Sequence, residues 1–240
     1  ITLGQNYTFG GQLANGAAQV DLANKLISWE ATTASNIGFD MSLLNNRITV
    51  TADFYNRVTD KILLKRDIPY TVGLGAPTQN VGSVKNTGWE VAVAYNNAIG
   101  EFKYNVNFNI SDVRNRILKY GEASVSGWTI TREGESMNSL YGYVTEGLFQ
   151  SDYEVTGHAF QNTGTGAGDI RYKNMNKDDI INDQDKVVLG STIPRYTYGL
   201  TIGGKFRGWD ATLFFNGVGK CYGYQEGALI EGPIWDGFTT

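Results

Sequence analysis

The strongest constraint on this chain is an alternation of apolar and polar residues between positions 30 and 110. Successive side chains of a β-strand point to opposite faces, so such a segment has one apolar and one polar side. The clearest case is residues 102–111, where Phe102, Tyr104, Val106, Phe108 and Ile110 alternate with Lys103, Asn105, Asn107, Asn109 and Ser111. Residues 37–43, 47–55, 89–96 and 209–216 repeat the pattern, although Phe214 falls on the polar side. The pattern predicts antiparallel β-structure.

A soluble sheet with one face on a core and a transmembrane β-barrel both produce this alternation. Three features favour the barrel. The polar faces are rich in Asn, Thr and Ser, the connections alternate between short and long, and aromatic residues stand at the ends of the apolar faces, namely Trp89, Tyr95, Phe102, Trp209 and Phe215. We therefore predict an all-β fold that is part of a large antiparallel transmembrane β-barrel with long extracellular loops.

The composition excludes several classes of function. The 240 residues are 41% hydrophobic and 18% charged, with 30 glycines, which is typical of a β-rich protein with many turns. No apolar run of about 18 residues exists, so no transmembrane helix is predicted. A net charge of −4 without a basic cluster argues against nucleic acid as a partner. The sequence contains no nucleophile elbow, no metal-spaced histidine set and no defensible carboxylate pair, so an enzyme is not predicted.

The lengths of the connections predict a direction for each strand. Tight turns are predicted at residues 45–46, 97–100 and 203–208, and short turns of outer-membrane barrels are periplasmic. The strand from Arg47 then runs outward to about Leu64, residues 65–83 form an extracellular loop, and residues 84–95 return. Residues 102–111 run outward and residues 196–202 return, so an even number of crossings separates them. We therefore predict that residues 112–194 form one large extracellular excursion, with residues 140–150 in a projecting hairpin.

Within that excursion, residues 174–185 have the spacing of oxygen ligands in a twelve-residue calcium loop. The predicted ligands are the side chains of Asn174, Asn176, Asp178, Asn182 and Asp185 and the main-chain carbonyl of Ile180. Calcium is the only cofactor that the sequence suggests. Asp179 stands where such loops have a left-handed glycine, and Asn174 is neutral at the first position. The alternative is an Asx-rich turn held by its own side-chain hydrogen bonds.

Several motifs in order resemble one family, the SusC-like (RagA-like) TonB-linked outer-membrane transporters of Bacteroidetes. The most specific is NVGSVKNTGWE, from Asn80 to Glu90. The others include Trp29-Glu30 with Asn36-Ile37-Gly38-Phe39-Asp40, Asp53-Phe54-Tyr55-Asn56 with Thr59-Asp60-Lys61-Ile62-Leu63, Tyr141-Gly142-Tyr143 with Gly147-Leu148-Phe149-Gln150, and Gly168-Asp169-Ile170 through Asp185, Gly190, Pro194 and Tyr198-Gly199.

The resemblance implies a plugged barrel of about 22 strands in the outer membrane of a Gram-negative, Bacteroidetes-type bacterium. It implies a SusD-like surface lipoprotein as a lid, energy from the TonB complex, and import of oligosaccharides or peptides. The plug and the TonB-contacting segment are N-terminal in the family, so residues 1–240 are expected to be a C-terminal-half segment of the barrel within something longer. About eight barrel strands are expected, too few to close the wall of such a barrel.

In the importer interpretation, this chain contributes part of the barrel wall and some of the extracellular loops. Lumen side chains would include Asp53, Tyr55, Glu90 and Asn107, and loop aromatics that could stack on a sugar are Tyr70 and Trp128. Two alternatives remain at the level of the sequence. One is a small closed outer-membrane barrel with a structural or adhesive role, and the other is a soluble β-rich glycan-binding module. The substrate-binding residues are not predicted.

Overall fold

The alternating segments form long antiparallel strands in a computed structural model that describes residues 2–3, 7–14, 16–19, 22–65 and 68–225. The strands, in chain order, are β1 (Thr2–Leu3), β2 (Tyr7–Phe9), β3 (Gln12–Ala14), β4 (Ala17–Ala18), β5 (Ala31–Leu43), β6 (Ile48–Lys65), β7 (Thr78–Ile99), β8 (Phe102–Lys119), β9 (Ser124–Ser126), β10 (Thr129–Thr131), β11 (Ser139–Gly142), β12 (Thr145–Leu148), β13 (Ile170–Tyr172), β14 (Val187–Gly190), β15 (Arg195–Phe206) and β16 (Trp209–Lys220). A short helix, α1 (Asp152–Thr156), and two 3-10 turns, Tyr70–Val72 and Asp183–Asp185, complete the described elements.

Six strands form one sheet, the wall sheet, in the order β16-β15-β8-β7-β6-β5, and every neighbouring pair is antiparallel. The expectation of about eight barrel strands is therefore wrong for the described residues, which contribute six strands to the wall. The difference arises because β1 to β4 form separate two-stranded pairs, β1 with β4 and β2 with β3.

The wall strands are longer than the sequence pattern predicts. β7 begins at Thr78 instead of residue 84, and β8 continues to Lys119 instead of residue 111. The loop predicted at residues 65–83 is correspondingly short. Both extensions lie where the apolar alternation has already ended, so periodicity could not reveal them. The ladder nevertheless continues, because Lys85 pairs with Arg116 and Val84 with Ile117.

All three predicted tight turns join wall strands, with shifted boundaries. Residues 44–46 of the first turn have positive φ angles of 52°, 54° and 63°. The second turn lies at Gly100 and Glu101, because Ile99 still pairs with Phe102. The third lies at Arg207 and Gly208, whose φ angles are 47° and 86°, as a two-residue hairpin turn of the twisted type requires.

The register places most apolar residues of the six wall strands on one face, whereas Phe214, the partner of Thr201, lies on the other. One row across the sheet consists of Met41, Val50, Val93, Phe108, Leu200 and Phe215. The next row consists of Leu43, Ile48, Tyr95, Val106, Ile202 and Leu213. The opposite face carries polar rows such as Asp40, Thr51, Ala92, Asn109, Gly199 and Asn216. A one-residue slip in any strand would exchange the two faces, so the amphipathic pattern fixes the register.

The excursion predicted at residues 112–194 begins later, because β8 continues to Lys119. Residues 120–194, called the excursion from here on, connect β8 to β15, which are direct neighbours in the wall sheet. The excursion contains a small sheet in the order β14-β11-β10-β9 and a separate pair, β12 with β13. Residues 140–150 are therefore not one strand of a hairpin: β11 and β12 fall in different sheets. The buried apolar side chains of the described residues are few: Val84 and Ile117 are register partners on β7 and β8, and Ile130 and Phe149 lie in the excursion.

Candidate functional site

The apolar face of the wall sheet is uncovered within the described residues. Trp209 is 83% exposed, Ile37 76% and Leu213 59%. Exposed apolar surfaces of this extent mark contact with a membrane or a partner, since in water they would drive association. The six strands make the face continuous, which suits a lipid-facing barrel wall.

Aromatic residues border this face at both ends. At the turn end, Tyr104 stacks with Phe102 at 5.7 Å between ring centroids and contacts Tyr95 edge-on at 5.8 Å. At the other end, Phe54 pairs with Trp89 across β6 and β7. On β8 the outward positions are uncharged from Phe102 until Asp112, which follows ten positions later. That spacing spans about 34 Å along the strand and about 26 Å along the axis of a barrel with tilted strands, close to the usual height of the apolar band.

The polar face contains the predicted lumen residues. Asp53 and Glu90 are register partners on β6 and β7, and together with Tyr55 and Arg57 they line a recess of about 530 Å³. The Arg57 guanidinium lies 5.7 Å from the centroid of the Tyr55 ring. Two carboxylates, a cation and a phenol on one wall can hydrogen-bond to a polar solute. Asn107 lies on the same face but outside this recess.

Gly88 lets the Tyr55 ring lie flat against the polar face. A Cβ atom on Gly88 would stand 2.4 Å from the Tyr55 ring and 2.6 Å from the main-chain oxygen of Asp112. The second glycine in the NVGSVKNTGWE motif, Gly88, is thus required by close packing with β6 and β8.

A charged pair that the sequence analysis missed joins β8 to β15 just beyond the apolar band. The Asp112 carboxylate is buried and accepts hydrogen bonds from Nε and Nη2 of Arg195, at 2.7 and 2.5 Å. Arg114 lies 3.8 Å from the same carboxylate. The two partners are 83 residues apart, so only the pairing of β8 with β15 brings them together. The signal available in the sequence was Asp112 itself, a charged residue at an outward position beyond the last apolar residue of the alternating run.

The residues of the predicted calcium loop do come together, and they bond to one another. The side-chain oxygen of Asn174 accepts from the Lys177 N–H at 2.7 Å, and that of Asn182 accepts from the Gln184 N–H at 2.8 Å. Asn176 and Asp178 take part in the same network, in which Asp178 accepts from the Ile180 N–H at 2.9 Å.

Asp185 is the centre of this loop. Its side chain is fully buried, and its two oxygens accept from the N–H groups of Asn182 at 2.9 Å and Met175 at 2.8 Å. These hydrogen bonds, led by that from Asn182, hold the pKa of Asp185 below its usual range against the opposing effect of burial. The left-handed residue is Lys177, with φ 63°, and not Asp179.

This geometry is that of an Asx-rich turn, the alternative that the sequence left open. Each predicted side-chain ligand accepts a hydrogen bond from a main-chain N–H group of the loop. Among the described residues, no group of three or more His, Cys, Asp or Glu side chains could hold a metal ion. Calcium binding by Asn174, Asn176, Asp178, Ile180, Asn182 and Asp185 stays a prediction.

The two predicted sugar-stacking aromatics differ in what the structure describes. Trp128 stacks on Tyr224 with 4.9 Å between ring centroids, which covers one face of its indole. The side chain of Tyr70 lies outside the described residues. No described helix has the length and apolar character needed to cross a membrane.

Comparison with known proteins decides the family. The model of the TonB-dependent receptor-like β-barrel matches residues 2–240. The chain belongs to this family. TonB-dependent receptor P3 of Formosa agariphila is 27% identical over 219 residues, which cover 86% of this chain and 22% of that receptor. TonB-dependent receptor SusC of Bacteroides thetaiotaomicron is 26% identical over 221 residues, covering 85% of this chain and 21% of SusC.

Solved structures agree on the fold of this TonB-dependent receptor barrel segment. The RagAB peptide importer in its open-open state superposes with a TM-score of 0.71 at 22% identity, covering 90% of this chain and 23% of that one. Its closed-closed state gives a TM-score of 0.64 at 23% identity. The chain thus spans between a fifth and a quarter of the length of its relatives. The SusC-like resemblance, the antiparallel barrel fold and the exclusion of an enzyme are confirmed.

Proposed function

We propose that this chain forms part of the wall of a TonB-dependent importer in the outer membrane of a Bacteroidetes-type bacterium. The observation that carries the proposal is the continuous apolar face of the wall sheet, backed by a polar face with a recess at Asp53 and Glu90. Such a wall separates lipid from a polar passage. The likeness to SusC and to the RagAB peptide importer supports transport as the role of the passage.

The proposed cargo is an oligosaccharide or a peptide, and the proposed partners are a SusD-like surface lipoprotein and the TonB complex. The name of SusC as a TonB-dependent receptor supports the TonB complex, and that of the RagAB peptide importer supports a peptide, whereas the oligosaccharide and the lipoprotein are proposed from the resemblance to the family. The excursion is proposed to lie outside the cell, because all three tight turns are at the opposite end of the wall sheet. Contact with TonB would use parts of the family fold that this sequence does not contain.

Uptake by cells tests the proposal. Cells carrying the full protein should accumulate a labelled oligosaccharide or oligopeptide, and deletion of the gene or loss of TonB should abolish that uptake. A lipoprotein encoded next to the transporter should co-purify with it. Uptake that persists without TonB would contradict the energy source, and a protein recovered from the soluble fraction would contradict the membrane role altogether.

A further inference from the structure

On β7 the outward positions change from apolar to cationic within four residues, from Trp89 to Lys85. On β7 the outward series runs through Val91 and Trp89 to Thr87 and Lys85, and its partners on β8 end in Arg114 and Arg116. These residues share the face of the apolar rows, because no register shift separates Lys85 from Val91. The cations therefore stand directly above the apolar band, at the level of lipid headgroups.

These cations line a cavity of about 910 Å³, where the upper wall meets β14 and the end of β16. Five basic side chains contribute to it, namely Lys85, Arg114, Arg116, Arg195 and Lys220. Four of them stand on the inner strands β7, β8 and β15, and Lys220 stands at the end of the edge strand β16. Lys85 and Arg116, on β7 and β8, are therefore away from both edges of the wall sheet.

Arg114 and Arg195 pair with Asp112, but the other acids around the cavity do not neutralise Lys85 and Arg116. Of the two carboxylates in the lining, Glu133 accepts the N–H groups of Tyr120 and Gly121, and Glu135 pairs with Arg132 at 3.4 Å. In the part of the chain that the structure describes, neither Lys85 nor Arg116 has a carboxylate within 4.0 Å.

Lys85 and Arg116 are moreover direct register partners. Like charges opposite each other on neighbouring strands destabilise a sheet, and an anion between them would remove that repulsion. A phosphate group suits such a pair, because an arginine donates to two of its oxygens and a lysine adds a point charge. Exposed Leu118 and Leu189 lie beside the cations, so the cavity also offers apolar contact.

From this placement we infer that the cavity binds the phosphate of an anionic lipid headgroup from the surrounding leaflet, with Lys85 and Arg116 as its main ligands. A lipid is favoured over free phosphate because the cations continue the lipid-facing rows and are bordered by apolar side chains. The identity of the leaflet rests on the orientation proposed above, whereas the preference for phosphate does not.

Native mass spectrometry of the purified full protein in detergent tests the inference, with phosphatidic acid as the probe and diacylglycerol as its uncharged counterpart. The protein should retain phosphatidic acid and not diacylglycerol. The double variant K85Q/R116Q should bind phosphatidic acid about thirtyfold more weakly. The matched control is K103Q/K205Q, which removes a registered pair of lysines from the polar face and should bind like the unchanged protein.

Three results would overturn the inference: equal retention of both lipids, an unchanged affinity in K85Q/R116Q, or an equal loss in K103Q/K205Q. A separate experiment adds inorganic phosphate as a competitor of phosphatidic acid. If phosphate displaces the lipid at a concentration equal to that of the lipid, the cavity is a site for free phosphate. If K85Q/R116Q fails to fold, the two-lipid comparison on the unchanged protein still decides the outcome. Normal uptake without lipid binding would contradict this inference and leave the proposed importer intact.

Discussion

The buried carboxylate of Asp112 on β8 receives two nitrogen atoms of Arg195 on β15, at 2.7 and 2.5 Å. The pair closes the junction at which the chain returns to the wall after the excursion. A bidentate, charge-assisted arrangement is among the stronger polar interactions in proteins, and it depends on both partners. Its contribution can therefore be measured as a coupling between the two residues.

Asp112→Asn and Arg195→Gln should each lower the free energy of unfolding, and the double variant should lose less than the sum of the two. The expected coupling is about 1–3 kcal/mol, because each single change leaves one partner without its counter-charge. Urea unfolding from lipid vesicles, followed by the gel shift of the folded barrel, measures it. Strict additivity of the two losses would show that the contact contributes nothing.

Val50→Arg should destabilise the wall by about 2–4 kcal/mol, since it places a charge in the middle of the lipid-facing rows. Thr51→Arg is the matched control, because its side chain points to the polar face beside Asp40. The same unfolding assay compares the two variants. If both were equally harmless, the assignment of the faces would be wrong.

Gly88→Ala should destabilise the wall by about 1–3 kcal/mol, because the new Cβ meets both the Tyr55 ring and a main-chain oxygen that cannot move aside. Gly204→Ala on β15 is the control: its nearest neighbours, atoms of the Phe102 ring, are 3.4 Å away. Folding yield and unfolding midpoint should fall for the first variant alone. Equal midpoints would mean that the Tyr55 ring is not fixed against β7.

Acid should loosen the loop around Asp185. A carboxyl group whose pKa is lowered by folding contributes its full stability above the unfolded pKa of about 4, and that contribution shrinks as the pH falls towards the folded pKa. The protection of residues 174–185 against hydrogen exchange, measured relative to the intrinsic rate at each pH, should therefore fall below about pH 4. Asp185→Asn should exchange quickly at neutral pH already and show little further change with acid. A loop with the same protection at both pH values would contradict the role of this carboxylate.

Calcium should bind to the same loop if the prediction from its spacing is right. The expected dissociation constant is on the order of 10⁻⁴–10⁻³ M, as in extracellular modules. Titration with calcium, followed by calorimetry on the full protein, measures it, and Asp178→Asn should weaken it because this exposed carboxylate is a predicted ligand. If the loop is protected from hydrogen exchange and no heat of calcium binding is measured, the loop is an Asx-rich turn that binds no calcium.

Much of the wall could be predicted because each strand that crosses the membrane must keep one face apolar. The facing of the residues in the rows through Val50 and Phe108 could therefore be predicted from the sequence, residue by residue. The upper ends of β7 and β8 could not be predicted, because residues above the apolar band, such as Thr87 and Lys85, do not alternate between apolar and polar. The split of residues 140–150 into β11 and β12 was also hidden, because their partners, β14 and β13, lie far along the chain.

The candidate site divides in the same way. Asp53 and Glu90 were predictable as polar-face residues, but their opposition across β6 and β7 depends on register. The Asp112–Arg195 pair and the registered cations Lys85 and Arg116 require the pairing of specific strands. A sequence shows which side of a strand a charge occupies, but its opposite charge is visible only once the neighbouring strand is known.

The direct pairing of β8 with β15 has a consequence for variation. Ser111 and Thr197 are linked by a 2.7 Å hydrogen bond although they are 86 residues apart. The excursion therefore leaves the wall at the end of β8 and re-enters it at the start of β15, beside this seam. Excursions of other lengths and sequences can be exchanged at this seam without moving any wall strand, because lengthening a surface loop adds little entropy. The excursion of such a protein can diversify in sequence while the wall sheet stays unchanged.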